Sequence, residues 1–77
     1  MNIKEEVLAV LKKVKPTKDL ENCMDIAEGG YIDSFELMML ISELNDAFGI
    51  EIGVEDIAFE SFNSVEAMTA MVERLKG

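Results

Sequence analysis

Apolar residues near the N-terminus recur at intervals of three and four, with lysine and glutamate between them. The repeating positions are Ile3, Val7, Val10, Leu11 and Val14. This spacing places all of them on one face of a helix. The helix must end before Pro16, because the residue ahead of a proline disfavours helical backbone angles. We therefore predict a first amphipathic helix with a single buried stripe.

Residues 15 to 33 lack such a period, and we predict that most of this segment is irregular. Leu20, Met24 and Ile26 are expected to anchor it against the core. Connections of this length are unusual in a small domain and are more often functional than idle.

A central helix is predicted to begin at Asp33 or Ser34 and to end at Phe48. Its apolar residues cover more than one face: Phe35, Leu37, Met38, Leu40, Ile41, Leu44, Ala47 and Phe48. A helix of this kind contacts several neighbours. Gly49 is predicted to form a left-handed cap, with Ile50 folding back against the last turn.

Two further helices complete the prediction. The segment from Val54 to Glu60 suits a short helix with Ile57 and Phe59 directed inwards. The last helix should begin at Asn63 or Ser64, and an Asn63 cap would pair with Glu66 in a capping box. Its buried stripe is Val65, Met68, Met71, Val72 and Leu75. The predicted fold is all-α: one domain over residues 1–77, a small four-helix bundle of three main helices and a short one, with a long first loop.

The charge distribution narrows the choice of partners. The 77 residues carry a net charge of −9, and no basic residue lies between Asp19 and Glu73. Nucleic acid is not expected, because phosphate binding needs clustered lysine and arginine. An acidic surface attracts basic patches on other proteins, although solubility alone explains the charge equally well.

The chain has the features of a cytoplasmic monomer. Cys23 is the single cysteine and cannot form an internal disulfide. The first residues lack the apolar core of a signal peptide, and no apolar run is long enough to span a membrane.

Candidate chemistry is concentrated at Ser34. The chain has no histidine, the commonest general base, so we predict no catalytic residue, no resident metal and no enzymatic activity. Ser34 follows Gly29, Gly30 and Asp33 at the start of the central helix, where a helix favours an added negative group. A helix cap alone would explain the Asp-Ser pair. The two glycines, however, leave the approach to the serine open and flexible.

With this motif, its length, its acidity and its helix order, the chain resembles the acyl carrier and peptidyl carrier protein family over essentially all residues. The resemblance implies that Ser34 carries covalent 4′-phosphopantetheine, transferred from coenzyme A by a separate phosphopantetheinyl transferase. Asp33 matches the family's acid before the serine and would serve the transferase's metal. Phe35 stands where leucine is usual. Gly30 lies four residues before the serine and Tyr31 three before it, a spacing more similar to D-alanyl carrier proteins.

The resemblance also implies a docking surface for basic patches on the transferase, on the enzyme that loads acyl or aminoacyl cargo, and on downstream transferases. Its candidate residues are Phe35, Glu36, Met38, Met39, Glu43, Asp46 and Asp56. Both methionines could instead belong to the core, and for Met38 the core is favoured. A cleft for an acyl chain could be lined by Leu40, Phe59, Phe62, Met68 and Met71, but ordinary packing explains these residues better.

The function expected from these features is that of an acyl carrier, which presents thioester-bound intermediates to partner enzymes in a specialised biosynthetic pathway. Two alternatives stay open. The cargo could be D-alanyl or another aminoacyl group and not a fatty acid. The chain could also be an acidic helical module that binds its partners without any covalent group.

Overall fold

The computed structural model of the chain describes residues 2–17 and 19–77. The helices are α1 (Ile3–Val14), α2 (Ser34–Phe48), α3 (Phe59–Phe62) and α4 (Val65–Lys76), with a 3₁₀ turn at Val54–Asp56. The described residues contain no strand. The predicted all-α, four-helix class with a long first loop is confirmed.

The first helix begins and ends where its sequence predicts. The Asn2 side chain caps it by accepting a hydrogen bond from the Glu5 N–H at 2.8 Å. The helix ends at Val14, two residues before Pro16. The predicted stripe faces inwards, with Val7, Leu11 and Val14 buried and Ile3 and Val10 packed against the core.

The central helix α2 packs against both α1 and α4. It buries Leu40, Ile41 and Leu44. Gly49 adopts the predicted left-handed conformation with φ of 62°, and its N–H bonds to the Asn45 carbonyl. The Ile50 N–H bonds to the same carbonyl at 3.2 Å, as expected of a chain that folds back on the helix end.

The long first loop is anchored by fewer residues than predicted. Leu20 and Ile26 are buried in the core, as expected. The prediction for Met24 is wrong, since 68 % of its surface is exposed. The neighbouring Cys23 side chain packs against the core. Because the chain bends here, the side chain of Met24 faces solvent.

The predicted helix over Val54–Glu60 is wrong in its bounds and in its facing. The 3₁₀ turn is followed by an extended break at Ala58, and only then does α3 begin. The break resets the helical register, so Phe62 and not Phe59 is buried. Ile57 and Phe59 are exposed, the latter by 62 %.

The last helix is capped by Ser64, whose Oγ accepts a hydrogen bond from the Ala67 N–H at 3.0 Å. The predicted Asn63–Glu66 capping box is therefore wrong. Glu66 instead pairs with Lys4 of α1 at 3.1 Å, and the hydrogen bond from Lys4 lowers the pKa of Glu66. The buried stripe of α4 is confirmed at Val65, Met68, Met71 and Val72. Across the described residues, none of the helices has the length and apolar character needed to cross a membrane.

Candidate functional site

The N-terminus of α2 is fixed by a complete capping box. The Asp33 carboxylate accepts a hydrogen bond from the Glu36 N–H at 2.8 Å. In return, Glu36 Oε1 accepts one from the Asp33 N–H at 3.0 Å. Ser34 is the first residue of the helix and is exposed. The capping role belongs to Asp33, which leaves the serine hydroxyl accessible at the positive end of the helix dipole.

An ion pair joins this capping box to the end of α1. Lys15 Nζ lies 3.0 Å from Glu36 Oε2 and 3.2 Å from Glu36 Oε1, and both side chains are largely buried. Nothing in the spacing of the sequence singles out Lys15 among the lysines that surround it. Its role becomes visible only in the fold, where Lys15 is the C-cap residue of α1 and α1 packs against α2.

The two glycines before the serine form a defined turn, which differs from the flexible approach predicted for them. Gly30 has φ of 74°, a left-handed conformation that side chains rarely adopt. At Gly29, a Cβ atom would lie 2.6 Å from the Asp25 carbonyl oxygen. The Tyr31 N–H closes the turn on the Ile26 carbonyl at 3.2 Å.

Asn63 holds this turn against the junction of α3 and α4. Its Oδ1 accepts hydrogen bonds from the N–H groups of Ala27 at 3.2 Å and Glu28 at 3.0 Å. Its Nδ2 donates to the Glu28 carboxylate at 2.8 Å, and its backbone carbonyl accepts from the Ile26 N–H at 2.9 Å. A residue expected to cap α4 thus fixes the segment that leads to Ser34.

A solvent-open cavity of about 250 Å³ lies beside the serine. Its lining residues are Ala27, Ile32, Asp33, Ser34, Leu37 and Phe59. A groove of about 230 Å³, lined by Leu37, Ile57, Ala58 and Phe59, adjoins it. The cleft for an acyl chain that the sequence left open would lie between α2 and α4. That space is filled, because Leu40, Phe62, Met68 and Met71 are buried in the core. Those four residues therefore contribute to ordinary core packing. Phe59, the fifth candidate, lies outside the core.

Exposed apolar side chains on the first half of α2 and beside the two cavities form a surface that we call the apolar rim. Its members are Phe35, Met38, Met39, Ile57 and Phe59. The favoured core position for Met38 is wrong, since 59 % of its surface is exposed. The helix α2 buries only the face with Leu40, Ile41 and Leu44, and Met38 lies on another face.

Three of the acidic docking candidates are paired within the chain. Glu36 bonds to Lys15, as described above. Glu43 binds Lys13 at 2.8 Å, and this hydrogen bond raises the pKa of Lys13. Asp56 binds Arg74 at 2.7 Å and is largely buried. Asp46, the fourth acid, is exposed on the second half of α2.

Cys23 does not have the features of a nucleophile. Its thiol donates to the Asp25 carboxylate at 3.2 Å. Desolvation raises the pKa of the Cys23 thiol, which lowers the fraction of reactive thiolate. Among residues 2–17 and 19–77, no group of three or more cysteine and acidic side chains could hold a metal ion.

The site fits a phosphate-linked group on Ser34. Ser34 is exposed, the first helical turn favours an added negative charge, and the neighbouring cavity leaves room for a flexible arm. Comparison with known families agrees with this geometry. Residues 2–72 match the family described as "Phosphopantetheine attachment site".

The similarity to individual relatives extends over nearly the whole chain. The chain is 32 % identical over 78 residues to the D-alanyl carrier protein of Enterococcus faecalis, covering 99 % of this chain and 100 % of the relative. The D-alanyl carrier protein of Lactococcus lactis is also 32 % identical, with 96 % of each chain covered. That of Staphylococcus saprophyticus is 27 % identical, covering 99 % of this chain and 100 % of the relative. The chain therefore belongs to the phosphopantetheine attachment-site family, and it is a carrier that holds its cargo as a thioester on a covalent 4′-phosphopantetheine arm.

Proposed function

We propose that Ser34 is the residue to which the phosphopantetheine arm is attached. One observation carries the proposal. Ser34 is the exposed first residue of α2, while the neighbouring Asp33 provides the cap. A serine that capped the helix would have its oxygen bound to a backbone N–H. The Ser34 hydroxyl has no such role, so the active site of another enzyme can reach it.

The surrounding residues suit this modification. The Ser34 oxygen forms a bond to phosphorus as the nucleotide half of coenzyme A leaves, and the hydroxyl proton passes to the modifying enzyme. The added negative charge is stabilised by the dipole of α2. Asp33 Oδ1 accepts the capping hydrogen bond, so Oδ2 is the oxygen that we assign to the metal of the transferase.

The cargo that we propose is D-alanine or a similarly small aminoacyl group. The thiol of the arm supplies the thioester on which this cargo is held. The relatives described above are D-alanyl carrier proteins, which supports this cargo. The geometry also favours a small group, because the cavity beside Ser34 is open to solvent and the space between α2 and α4 is filled.

We assign the chemistry of loading and transfer to partner enzymes and not to this chain. They are the phosphopantetheinyl transferase, an enzyme that loads the cargo and downstream transferases. We propose that they dock on the Phe35, Met38 and Met39 portion of the apolar rim, with Asp46 as the acid available to a basic patch. The three acids paired within the chain would contribute less to docking, because a partner must first compete with their lysine or arginine.

Mass spectrometry tests the attachment residue. After incubation with coenzyme A and a phosphopantetheinyl transferase, the unsubstituted chain should gain the mass of one phosphopantetheinyl group. Ser34→Ala should gain nothing. The matched control is Ser42→Ala, an exposed serine on the same helix, which should be modified like the unsubstituted chain. A gain that survives Ser34→Ala contradicts the proposal.

The cargo is tested separately on the modified chain. A D-alanine-activating ligase and ATP should yield the D-alanyl thioester, which hydroxylamine releases. L-Alanine and a long-chain fatty acid, each with an enzyme that activates it, serve as competitors. Faster loading of the fatty acid than of D-alanine would contradict the assignment of a small aminoacyl cargo, even if Ser34 is the attachment residue.

A further inference from the structure

We propose that Lys15 is a positioning residue for the phosphopantetheine attachment site, an inference that rests on Ser34 being the attachment residue. Lys15 does not belong to α2 or to the motif around the serine. Its ammonium nevertheless contacts both carboxylate oxygens of Glu36, at 3.0 and 3.2 Å. The same Glu36 accepts the Asp33 N–H and so completes the cap of α2.

The first consequence of this contact is orientation. Glu36 has to keep its side chain folded back towards Asp33 for the capping box to close. A glutamate has several rotatable bonds, and holding them in one arrangement costs conformational entropy. Lys15 restrains the carboxylate from outside the helix, and Ser34 lies between the two residues of the restrained box.

The second consequence is electrostatic. Two carboxylates, those of Asp33 and Glu36, lie beside the serine that receives a phosphate. Like charges so near in the sequence of the first helical turn oppose the addition of a further negative group. The Lys15 ammonium offsets one of the two carboxylates, and the limited solvent exposure of the pair keeps this interaction from being fully screened.

The chain provides a matched control for this idea. Lys13 pairs with Glu43 at 2.8 Å and also joins α1 to α2, but it does not touch the cap of α2. Lys13→Met and Lys15→Met change the net charge equally, and each breaks one ion pair that joins the C-terminal end of α1 to α2. Any difference between the two variants therefore reports on the link from Lys15 to the cap.

The kinetic experiment measures modification of each variant by one phosphopantetheinyl transferase with coenzyme A. Lys15→Met should lower kcat by about threefold to fivefold relative to Lys13→Met, which is the range of a charge near a helix terminus. The two variants should have similar KM, because the loss of charge affects the encounter with the enzyme equally. Lys15→Arg keeps the charge and the paired contact, and it should restore kcat.

The second readout is independent of the transferase. The melting temperature of each variant is measured before and after modification. Modification should lower the melting temperature of Lys15→Met by about 2–4 °C more than that of Lys13→Met. In a Glu36→Gln background the amide oxygen can still accept the Asp33 N–H, but the charge is gone. In this background, adding Lys15→Met should not change further the shift in melting temperature that modification causes.

The outcomes separate the two proposals. If Ser34 is modified and the Lys15→Met and Lys13→Met variants agree in kcat and in the melting difference, the role of Lys15 is refuted while Ser34 stands. Equal losses in Lys15→Met and Lys15→Arg would also refute it. If the unsubstituted chain is not modified on Ser34, the proposed function fails and the inference fails with it.

Discussion

Large apolar side chains are buried on one side of this molecule and exposed on the other. On the side formed by α1 and α4, the large apolar residues lie in the core or pack against it, among them Val7, Leu11, Met68 and Met71. Around Ser34, by contrast, the apolar rim leaves large side chains in solvent. Clustered apolar side chains on a surface often mark a site of interaction. The comparison supports the proposal that partner enzymes dock on the rim, on the side of the molecule away from the packed faces of α1 and α4.

The short helix α3 contains both kinds of position within four residues. Phe62 is fully buried, whereas Phe59 is 62 % exposed and lines the cavity beside Ser34. The two residues have the same side chain and belong to the same helix. They are therefore the most direct places to separate stability from function.

The largest expected effect is that of Phe62→Ala. Removing a fully buried phenylalanine leaves a cavity, and we expect the free energy of unfolding to fall by about 3–5 kcal/mol, enough to unfold much of so small a domain. Phe59→Ala should change it by about 0.5 kcal/mol or less, because the side chain is exposed. Urea unfolding followed by circular dichroism measures both. Equal losses in the two variants would contradict the division between core and rim.

A smaller effect is expected at Asn63, which joins the two sides. Asn63→Ala removes the acceptor of the Ala27 and Glu28 N–H groups, and we expect a loss of about 1–3 kcal/mol. Hydrogen exchange at those two amides should accelerate more than exchange in α1. The matched control is Asn22→Ala, an exposed asparagine of the same loop, which should leave both measurements nearly unchanged. Unaltered exchange in Asn63→Ala would show that the turn is held by other contacts.

The smallest effect concerns charge. All but two of the 16 acidic residues lie in the segment without a basic residue, between Asp19 and Glu73, and they repel one another in the folded chain. Added sodium chloride or magnesium should raise the melting temperature by a few degrees, on the order of 1 kcal/mol or less. Asp46→Asn removes one exposed acid and should reduce this response. A melting temperature that does not change with salt would contradict the expectation.

The elements that the sequence predicts correctly are those with a strong local signal. The stripe of α1, the Gly49 cap and the buried stripe of α4 each follow from period or turn chemistry that neighbouring residues determine. The start of α2 at Ser34 follows in the same way from the Asp33 cap ahead of an apolar helix, whereas the role of Ser34 as the attachment residue stays a prediction.

Some of the errors arise from local bends, at Met24 and at Ala58, and others occur where a distant part of the chain decides the outcome. Asn63 has the residue type and spacing of a cap, but its side chain bonds to a turn more than thirty residues away. Met38 is apolar on an apolar helix, yet its exposure depends on which faces α1 and α4 cover. The Lys15–Glu36 contact spans 21 residues and has no local signature.

The attachment of the arm to Ser34 is the central claim, and locating the modification within the chain tests it most directly. The modified protein is digested, and the peptide that carries the added group is fragmented in a tandem mass spectrometer. We predict that every fragment with the added mass contains Ser34 and that the group lies on this residue alone. The added group on Ser42, Ser61 or Ser64, with Ser34 unmodified, would contradict the account.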